Sequence, residues 1–345
     1  MANSPVIGGE FDIDLTGLRD TEKDKNFMGG VYKYASGRSA LYYILLDAQT
    51  RYGVTTVYLP DYLCSSVVFA AKKSQMQIVF YSLDKQLEID TNRFPMQKDE
   101  RAAVLLINYF GLKKLDRQIS FVRDLSQHVV VIEDDVQAFY EFQLPDLVSD
   151  YKFTSLRKTF PCPDGGLVKT CNELAETRRS NTFYQYKLAG GVLKFLRKPE
   201  YYDDAVFLQL FENGEDLIDD EITDGMSEVS LKIMKEVDLL QVAHARQRNA
   251  NLVVEGLRTL GIDTLLPIPE KSMPLFIPIW LANRDKVRKA MFSNKIFCPV
   301  HWPLEGMAIQ KGAEMANHEM SIIVDQRYTS KDMEYILITL EKALK

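Results

Sequence analysis

Blocks of apolar residues alternate with helix-like segments along residues 30–170 of the chain. Continuous apolar runs at 102–107 and 129–132 are bounded by polar residues, which is typical of strands buried on both faces of a parallel sheet. Residues 55–59 and 77–81 also favour strands, and helix-like stretches begin near Ser39 and Ser65. Strands separated by helices predict right-handed βαβ units and an α/β fold.

A second group of elements is predicted after residue 225. A helical pattern runs from about 227 to 260, and Gly261 is a suitable end for it. The pattern then favours strands at 274–281, near 297 and at 321–324, with helices at 284–293 and from 330 onwards.

These two groups predict two domains. Residues 1–225 are expected to form a large three-layer α/β/α domain, and residues 226–345 a long interdomain helix with a smaller C-terminal α/β domain. The stretch 201–228 is rich in acids, which is typical of a solvated face or a mobile loop.

Composition and charge exclude several classes of protein. The chain has 345 residues, 46% hydrophobic and 26% charged, as is usual for a soluble globular protein. Its net charge of −6 gives no electrostatic reason to expect nucleic acid or an anionic membrane as a partner. Residues 1–14 lack the layout of a signal peptide, and no apolar run approaches the roughly 20 residues needed to span a bilayer.

The cysteines and histidines indicate the redox compartment and whether a metal site is expected. The four cysteines are scattered and no pair has CxxC spacing, which favours free thiols in a reducing compartment. We therefore expect a cytoplasmic protein. The four histidines show no metal-ligand spacing either, so no metal site is predicted.

Three polar segments are candidates for chemistry. The first is Ser36-Gly37-Arg38-Ser39 at a predicted helix start. Glycine allows close approach of the backbone, and a helix N-terminus offers free N–H groups to a phosphate. Arg38 could add a charge-assisted contact. The alternative is an ordinary helix cap.

The second segment is Glu133-Asp134-Asp135, directly after a predicted buried strand. A carboxylate here could keep a pyridinium nitrogen protonated, which makes pyridoxal phosphate an electron sink. The alternative is an exposed strand end or a helix N-cap.

The third segment contains Lys158, which follows Thr154 and Ser155 and precedes a proline-rich turn with Gly165-Gly166. The hydroxyls can bind phosphate, and a lysine with a lowered pKa can attack an aldehyde. For a lysine alone, an exposed side chain without a function remains the alternative.

Taken together and in this order, the segments resemble the sugar-aminotransferase family of pyridoxal-phosphate enzymes, the DegT/DnrJ/EryC1/StrS group. The resemblance extends from Gly37 to about Leu340. The most specific similarities are residues 132–138, with acids followed by Gln137, and residues 155–158 with 164–166. It implies the aspartate-aminotransferase fold, pyridoxal 5'-phosphate as cofactor and a homodimer.

The resemblance also implies site roles. Lys158 would carry the cofactor as a Schiff base and move the substrate proton, and Asp134 would pair with the pyridine nitrogen. Gln137 would lie beside the ring, and Tyr62 or Cys64 falls near the ring-stacking position. The phosphate would be held by the helix start at Gly37, Arg38 and Ser39 together with the Ser155 hydroxyl.

The sequence departs from the family pattern in three places. The Asn and Arg expected before the long helix are absent from residues 222–227, and Arg38 is hypothesised to supply the missing phosphate contact. The first 35 residues match the family poorly. His301 and Trp302 occupy a loop that often lines the family's substrate site, although a structural role for His301 is an equal alternative.

The resemblance implies transfer of an amino group, with glutamate as donor and a nucleotide-linked keto sugar of polysaccharide or secondary-metabolite synthesis as acceptor. The departures also leave room for an amino-acid or small keto-acid substrate. One alternative is a pyridoxal-phosphate lyase such as a sugar dehydratase. Such relatives have histidine in place of the lysine, so Lys158 argues against it. The other alternative is a relative that binds the cofactor without turnover.

Overall fold

The computed structural model describes residues 6–16, 18, 29–145, 147–177, 179–197, 204–270, 272–303 and 312–345. The strands are, in chain order, β1 Ile7–Gly8, β2 Tyr32–Tyr34, β3 Thr56–Pro60, β4 Gln77–Tyr81, β5 Ala103–Ile107, β6 Val130–Asp134, β7 Tyr151–Ser155, β8 Gly166–Lys169, β9 Phe276–Trp280, β10 Ile296–Phe297 and β11 Glu319–Ile323.

The helices, in the same order, are α1 Gly37–Tyr52, α2 Ser65–Lys73, α3 Asp116–Leu125, α4 Phe139–Gln143, α5 Leu156–Thr159, α6 Phe183–Phe195, α7 Ala205–Leu217, α8 Glu228–Glu236, α9 Leu239–Thr259, α10 Arg284–Ser293, α11 Ala313–His318 and α12 Ser330–Leu344. In the part of the chain that the structure describes, none of them combines the length and the apolar character needed to cross a bilayer.

One large mixed sheet carries most of the fold. Its seven strands lie in the order β2-β8-β7-β6-β5-β3-β4. The strands from β7 to β4 run parallel, and β8 is antiparallel to both of its neighbours. Every residue of β5, β6 and β7 is buried. The prediction of an α/β fold built on buried parallel strands is confirmed.

The C-terminal part of the chain forms a separate, smaller sheet. Strands β9 and β11 pair antiparallel, with Phe276 opposite Ile323. Helices α9, α10 and α12 pack with these strands around a second apolar core. Strand β1, from the start of the chain, pairs in parallel with β10, so Ile7 lies opposite Ile296. The first described residues therefore pack with elements from the end of the chain.

The predicted long helix at 227–260 is wrong, because it consists of two helices, α8 and α9. They are separated at Val237 and Asp238, both of which have extended backbone. The Asp238 side chain accepts hydrogen bonds from the N–H groups of Leu240 and Gln241, both at 3.1 Å. This cap satisfies the free donors of a new helix start, which a continuous helix would not need.

Of the solvated face or mobile loop expected at 201–228, only the loop requires correction, because Glu212 and Asp216 are exposed on a helix. Residues 201–203 lie outside the described residues, but α7 forms a regular helix that packs against α6. Phe207 and Phe211, one turn apart, are buried on its inner face. The abundance of acids in this stretch concealed an amphipathic pattern with helical period.

The start of α1 lies directly against β8. A side chain at Gly166 would place its Cβ only 2.0 Å from the carbonyl oxygen of Ser36, the N-cap residue of α1. Since both atoms belong to the backbone, neither can move away cheaply. Gly166 is thus what allows the helix start to approach the carboxyl end of β7.

The substitution Gly166→Ala should therefore destabilise the protein by about 3 kcal/mol, at the upper end of the range for overpacking a buried site. Urea unfolding followed by circular dichroism measures this difference in free energy. Lys33→Ala is a matched control, because Lys33 lies on the adjacent strand β2 with a half-buried side chain. Equal stability of Gly166→Ala and the wild type would contradict the close packing.

Candidate active site

A cavity of about 380 Å³ opens at the carboxyl ends of the parallel strands. Such strand ends are where open α/β sheets bind ligands. The cavity brings together six of the residues that the sequence indicated. They are Gly37, Arg38, Asp134, Gln137, Ser155 and Lys158.

Lys158 reaches the cavity from α5, the short helix that follows β7. Its side chain is exposed where it borders the cavity, and protein atoms surround it on the other sides. The neighbouring Arg157 cation and the burial together lower the pKa of the Lys158 ammonium, while Glu215 acts in the opposite direction. A lowered pKa increases the fraction of neutral amine, which is the nucleophilic form.

Asp134 is the last residue of β6 and lies in the same cavity wall. Burial raises the pKa of Asp134 to about 7, although the N–H of Val136 donates a hydrogen bond to Oδ1 at 3.0 Å. A cation bound next to Asp134 would favour the ionised carboxylate and so offset the free energy lost on burying it. The carboxyl group is thus well suited to a cationic partner inside the cavity.

The three consecutive acids have different environments. Side chains alternate along a strand, so Glu133 points away from Asp134 and pairs with Lys152 of β7 at 3.4 Å. Asp135 is fully buried and, like Glu133, does not line the cavity. Only Asp134 among the three acids is available to a ligand there.

The start of α1 presents unused backbone donors to the cavity. Ser36 caps the helix, with its hydroxyl accepting the Ser39 N–H at 3.2 Å. The N–H groups of Gly37 and Arg38 have no hydrogen-bond partner within the described ranges. A Cβ added at Gly37 would lie 3.4 Å from the Ser155 Cβ, so the helix start and the Ser155 hydroxyl form one cradle. Ser39 is fully buried beneath it and does not line the cavity.

Arg38 is held by two carboxylates of the α7 region. Its guanidinium donates to Glu215 at 2.9 Å and to Asp219 at 2.7 Å. Both partners are partly exposed, so these ion pairs can exchange. The hypothesis that Arg38 contacts a phosphate would require such an exchange and stays a prediction.

Gln137 lines the cavity and also supports its wall. Its Oε1 accepts the backbone N–H of Phe110 at 2.9 Å. Phe110 has a φ of +60°, a left-handed conformation that a side-chain acceptor helps to hold. Gln137 therefore has a structural task besides any contact with a ligand.

The structure does not bring Tyr62 to the cavity. Its side chain is 1% exposed and packs behind the wall, where its hydroxyl donates to the carbonyl of His301. Its ring centroid lies 5.1 Å from that of Trp302. Cys64 and Trp302 line the cavity instead. Tyr62 thus lies behind Trp302, and this position does not support the predicted ring-stacking role.

Three charged residues around the site were given no role from the sequence: Arg157, Lys187 and Glu215. Arg157 donates to Glu215, with 3.0 Å between the nearest nitrogen and oxygen, and Lys187 contacts the same carboxylate at 3.2 Å. Burial acts to raise the pKa of Glu215, but the cations around it hold that pKa well below its usual range. The available signal was spacing: Glu215 follows Phe207 and Phe211 at intervals of four, so it lies on the apolar face of α7, where a carboxylate requires partners.

Comparisons with known proteins agree with this architecture. No family model matches the chain, and no curated protein matches it in sequence. Many solved structures match in fold. Sugar aminotransferase CalS13 from Micromonospora echinospora superposes with a TM-score of 0.67 at 13% identity, covering 97% of this chain and 99% of that one. This chain shares its fold.

Two further structures have the same fold. A DegT DnrJ EryC1 StrS aminotransferase from Brucella abortus matches with a TM-score of 0.60 and 14% identity, covering 94% of this chain and 91% of that one. Aminotransferase TlmJ from Streptoalloteichus hindustanus gives 0.61 and 16%, with 92% and 88% covered. The sugar-aminotransferase fold thus covers nearly the whole chain.

Opposite substitutions around Lys158 should shift its titration in opposite directions. Arg157→Gln removes the cation that lowers the pKa of Lys158, so that pKa should rise. Glu215→Gln removes an anion that raises it, so the pKa should fall. The pH dependence of reductive methylation of Lys158, read by peptide mass spectrometry, measures both shifts.

The exposed ammonium groups of the same chain, such as Lys85, serve as the internal reference in this experiment, since neither substitution is close to them. Shifts of Lys158 in the same direction in both variants would show that the ion pairs do not control its protonation.

Proposed function

We propose that this chain is a pyridoxal-phosphate-dependent aminotransferase of the sugar-aminotransferase type, with Lys158 as the residue that binds the cofactor covalently. One observation carries the proposal. Lys158 and Asp134 line the same cavity with pKa values displaced in opposite directions, the amine towards its neutral form and the carboxyl towards a need for a cationic partner. Titratable pairs of this kind are typical of catalytic sites.

The residues present fit the cofactor. The free N–H groups at Gly37 and Arg38 with the Ser155 hydroxyl suit a phosphate, and buried Asp134 suits a pyridinium nitrogen. A cavity of about 380 Å³ is within the usual size range of small-molecule sites. When bound, pyridoxal phosphate supplies an electron sink for breaking bonds at the substrate carbon.

The chain's own residues then have distinct tasks. Lys158 Nζ would hold the cofactor covalently, since the neutral amine is the nucleophilic form, and it would accept and return the proton at the substrate carbon. Asp134, as a carboxylate, would keep the pyridine nitrogen protonated. Arg157 limits the charge on Lys158, and Glu215 keeps Arg157 and Arg38 oriented.

The finer assignments extend this proposal. We propose glutamate as the amino donor and a nucleotide-linked keto sugar as the acceptor, in a cytoplasmic homodimer. The sugar aminotransferases of the same fold support the acceptor class, and the intact Lys158 favours transfer over dehydration. We also propose the division near residue 225 into a large cofactor-binding domain and a smaller C-terminal one, with β1 as the exception, since it pairs with β10.

An absorbance spectrum with pyridoxal phosphate tests the role of Lys158. The wild type should develop the band of the lysine-linked cofactor, and glutamate should bleach that band as the pyridoxamine form appears. Lys158→Ala should develop no such band, because it lacks the amine. Lys152→Ala would be a poor control because Lys152 balances buried Glu133, so the partly exposed Lys33→Ala serves as the matched lysine variant.

The outcomes separate the rival functions. A band that no amino donor bleaches would support a cofactor-binding relative without transfer or an enzyme of another reaction class. The same band in Lys158→Ala would refute the assignment of this lysine.

Asp134→Asn tests the proposed pairing of Asp134 with the pyridine nitrogen. The amide keeps the shape of the side chain but cannot hold a pyridinium proton, so transfer should fall by at least about 100-fold, the range of general acid–base effects. Binding of the cofactor, measured by the band of the lysine-linked form, should persist. Stopped-flow bleaching by glutamate gives the rate. An unchanged rate would exclude pairing of Asp134 with the pyridine nitrogen.

A further inference from the structure

Three polar residues form a hydrogen-bonded row that ends at the cavity. Glu319, at the start of β11, is 0% exposed. Ser321 lies two residues further along and therefore on the same face of the strand. His301 lines the cavity together with Lys158. None of the tasks assigned above uses this row.

The hydrogen positions in the row follow from valence. A carboxylate oxygen only accepts hydrogen bonds, so the Ser321 hydroxyl donates its single proton to Glu319 Oε1 at 2.5 Å. The Ser321 oxygen is then the acceptor for His301 Nδ1 at 3.1 Å. In the neutral ring Nδ1 therefore carries the proton, and Nε2 has the free lone pair.

The surroundings fix the ring in this orientation. The backbone N–H of His301 donates to Glu319 Oε2 at 2.6 Å. The rings of Phe110 and Phe276 flank the imidazole, with centroid distances of 5.4 and 5.2 Å. Nε2 has no hydrogen-bond partner among the residues whose placement is described. This nitrogen is consequently the one left for a molecule in the cavity.

The charged groups around the imidazole lie on several elements. Glu319 lies on β11, and Oε1 is 3.6 Å from Nδ1. Arg284 of α10 donates to the backbone carbonyl of Glu319 at 3.0 Å. The charged residues that line the same cavity are Arg38, Asp134, Arg157 and Lys158. Glu319 is thus the one anion within contact distance of the ring in the described structure.

We propose that His301 is a second proton acceptor of this site, which deprotonates the ammonium group of the amino donor; this rests on the proposed function. An amino acid arrives as R–NH₃⁺ and needs a lone pair before its nitrogen can act as a nucleophile. The N–H bond breaks, the proton passes to His301 Nε2, and R–NH₂ remains. The imidazolium is balanced by Glu319 and later returns the proton to water.

Within this proposal His301 is the residue that touches the substrate. Glu319 and Ser321 are positioning residues, because they act only through the imidazole. The arrangement follows the same logic as a base oriented by a buried carboxylate, with a hydroxyl inserted between the two.

The tautomer gives a readout that does not depend on activity. The chain has four histidines, so ¹⁵N spectra of histidine-labelled protein are simple, and His301→Asn assigns the His301 signals. In the neutral ring, Nδ1 should show the shift of a protonated nitrogen and Nε2 that of a bare one. A neutral ring protonated at Nε2 would overturn the proposal.

Kinetics test the proton transfer itself. The rate at which glutamate bleaches the cofactor band should fall at least tenfold in His301→Asn at neutral pH. The deficit should shrink as pH rises towards the pKa of the donor ammonium, because the donor then arrives neutral. His318→Asn is the matched control, since His318 stacks on Trp280 and does not line the cavity.

The two proposals can fail separately. Wild-type rates in His301→Asn, or a deficit that is equal at every pH, would remove the role of His301 while the aminotransferase proposal stands. A wild-type protein that reacts with no amino donor would remove both. Loss of the cofactor band in His301→Asn would indicate a purely structural role and would also refute the inference.

Discussion

Burial of the central parallel strands confines charge to one edge of the large sheet. No residue of β5, β6 or β7 is exposed, so a charged side chain on their faces is costly unless it is paired. Glu133 has Lys152 as its partner, whereas Asp134 lies at the final strand position, where the cavity begins. The raised pKa of Asp134 follows from this burial, whereas the Lys158 side chain is exposed in the cavity beside it.

Glu215 connects this edge to the helices around it. Its carboxylate contacts Arg38 of α1, Arg157 of α5 and Lys187 of α6, although it belongs to α7. One anion thus orients cations from three other elements and moderates the charge next to Lys158. The charge next to the lysine therefore also depends on how α7 packs against α6, which carries Lys187.

The sequence predicted what has a local signature. Buried strands, most helices and the segments around Gly37, Asp134 and Lys158 follow from apolar runs, caps and turn residues close together in the chain. The break before α9 was not predicted. The apolar pattern continues across it, and a single possible cap, Asp238, does not outweigh that pattern.

Contacts between residues far apart in the chain could not be predicted from local patterns. Tyr62 packs behind the cavity wall, and Glu215 reaches Arg157, because of how separate elements meet in space. The row from Glu319 to His301 likewise joins a loop to a strand that lies 18 residues further along. A local pattern contains no information about such contacts, although an acid on the apolar face of a helix indicates that a partner must exist.

The pairing of β1 with β10 has a mechanical consequence. Two described stretches join the C-terminal elements to the rest of the molecule. They are the link through α8 and α9, and residues 9–16 after β1, where the Ile13 N–H donates to the Gly191 carbonyl of α6 at 3.0 Å. Gly8 allows this strand to lie close to β10, since a Cβ there would be 2.8 Å from the Phe297 carbonyl oxygen. A body tethered at two points cannot pivot freely about one of them. A movement of the C-terminal elements would therefore carry β1 along with β10 and would strain the hydrogen bond between Ile13 and Gly191.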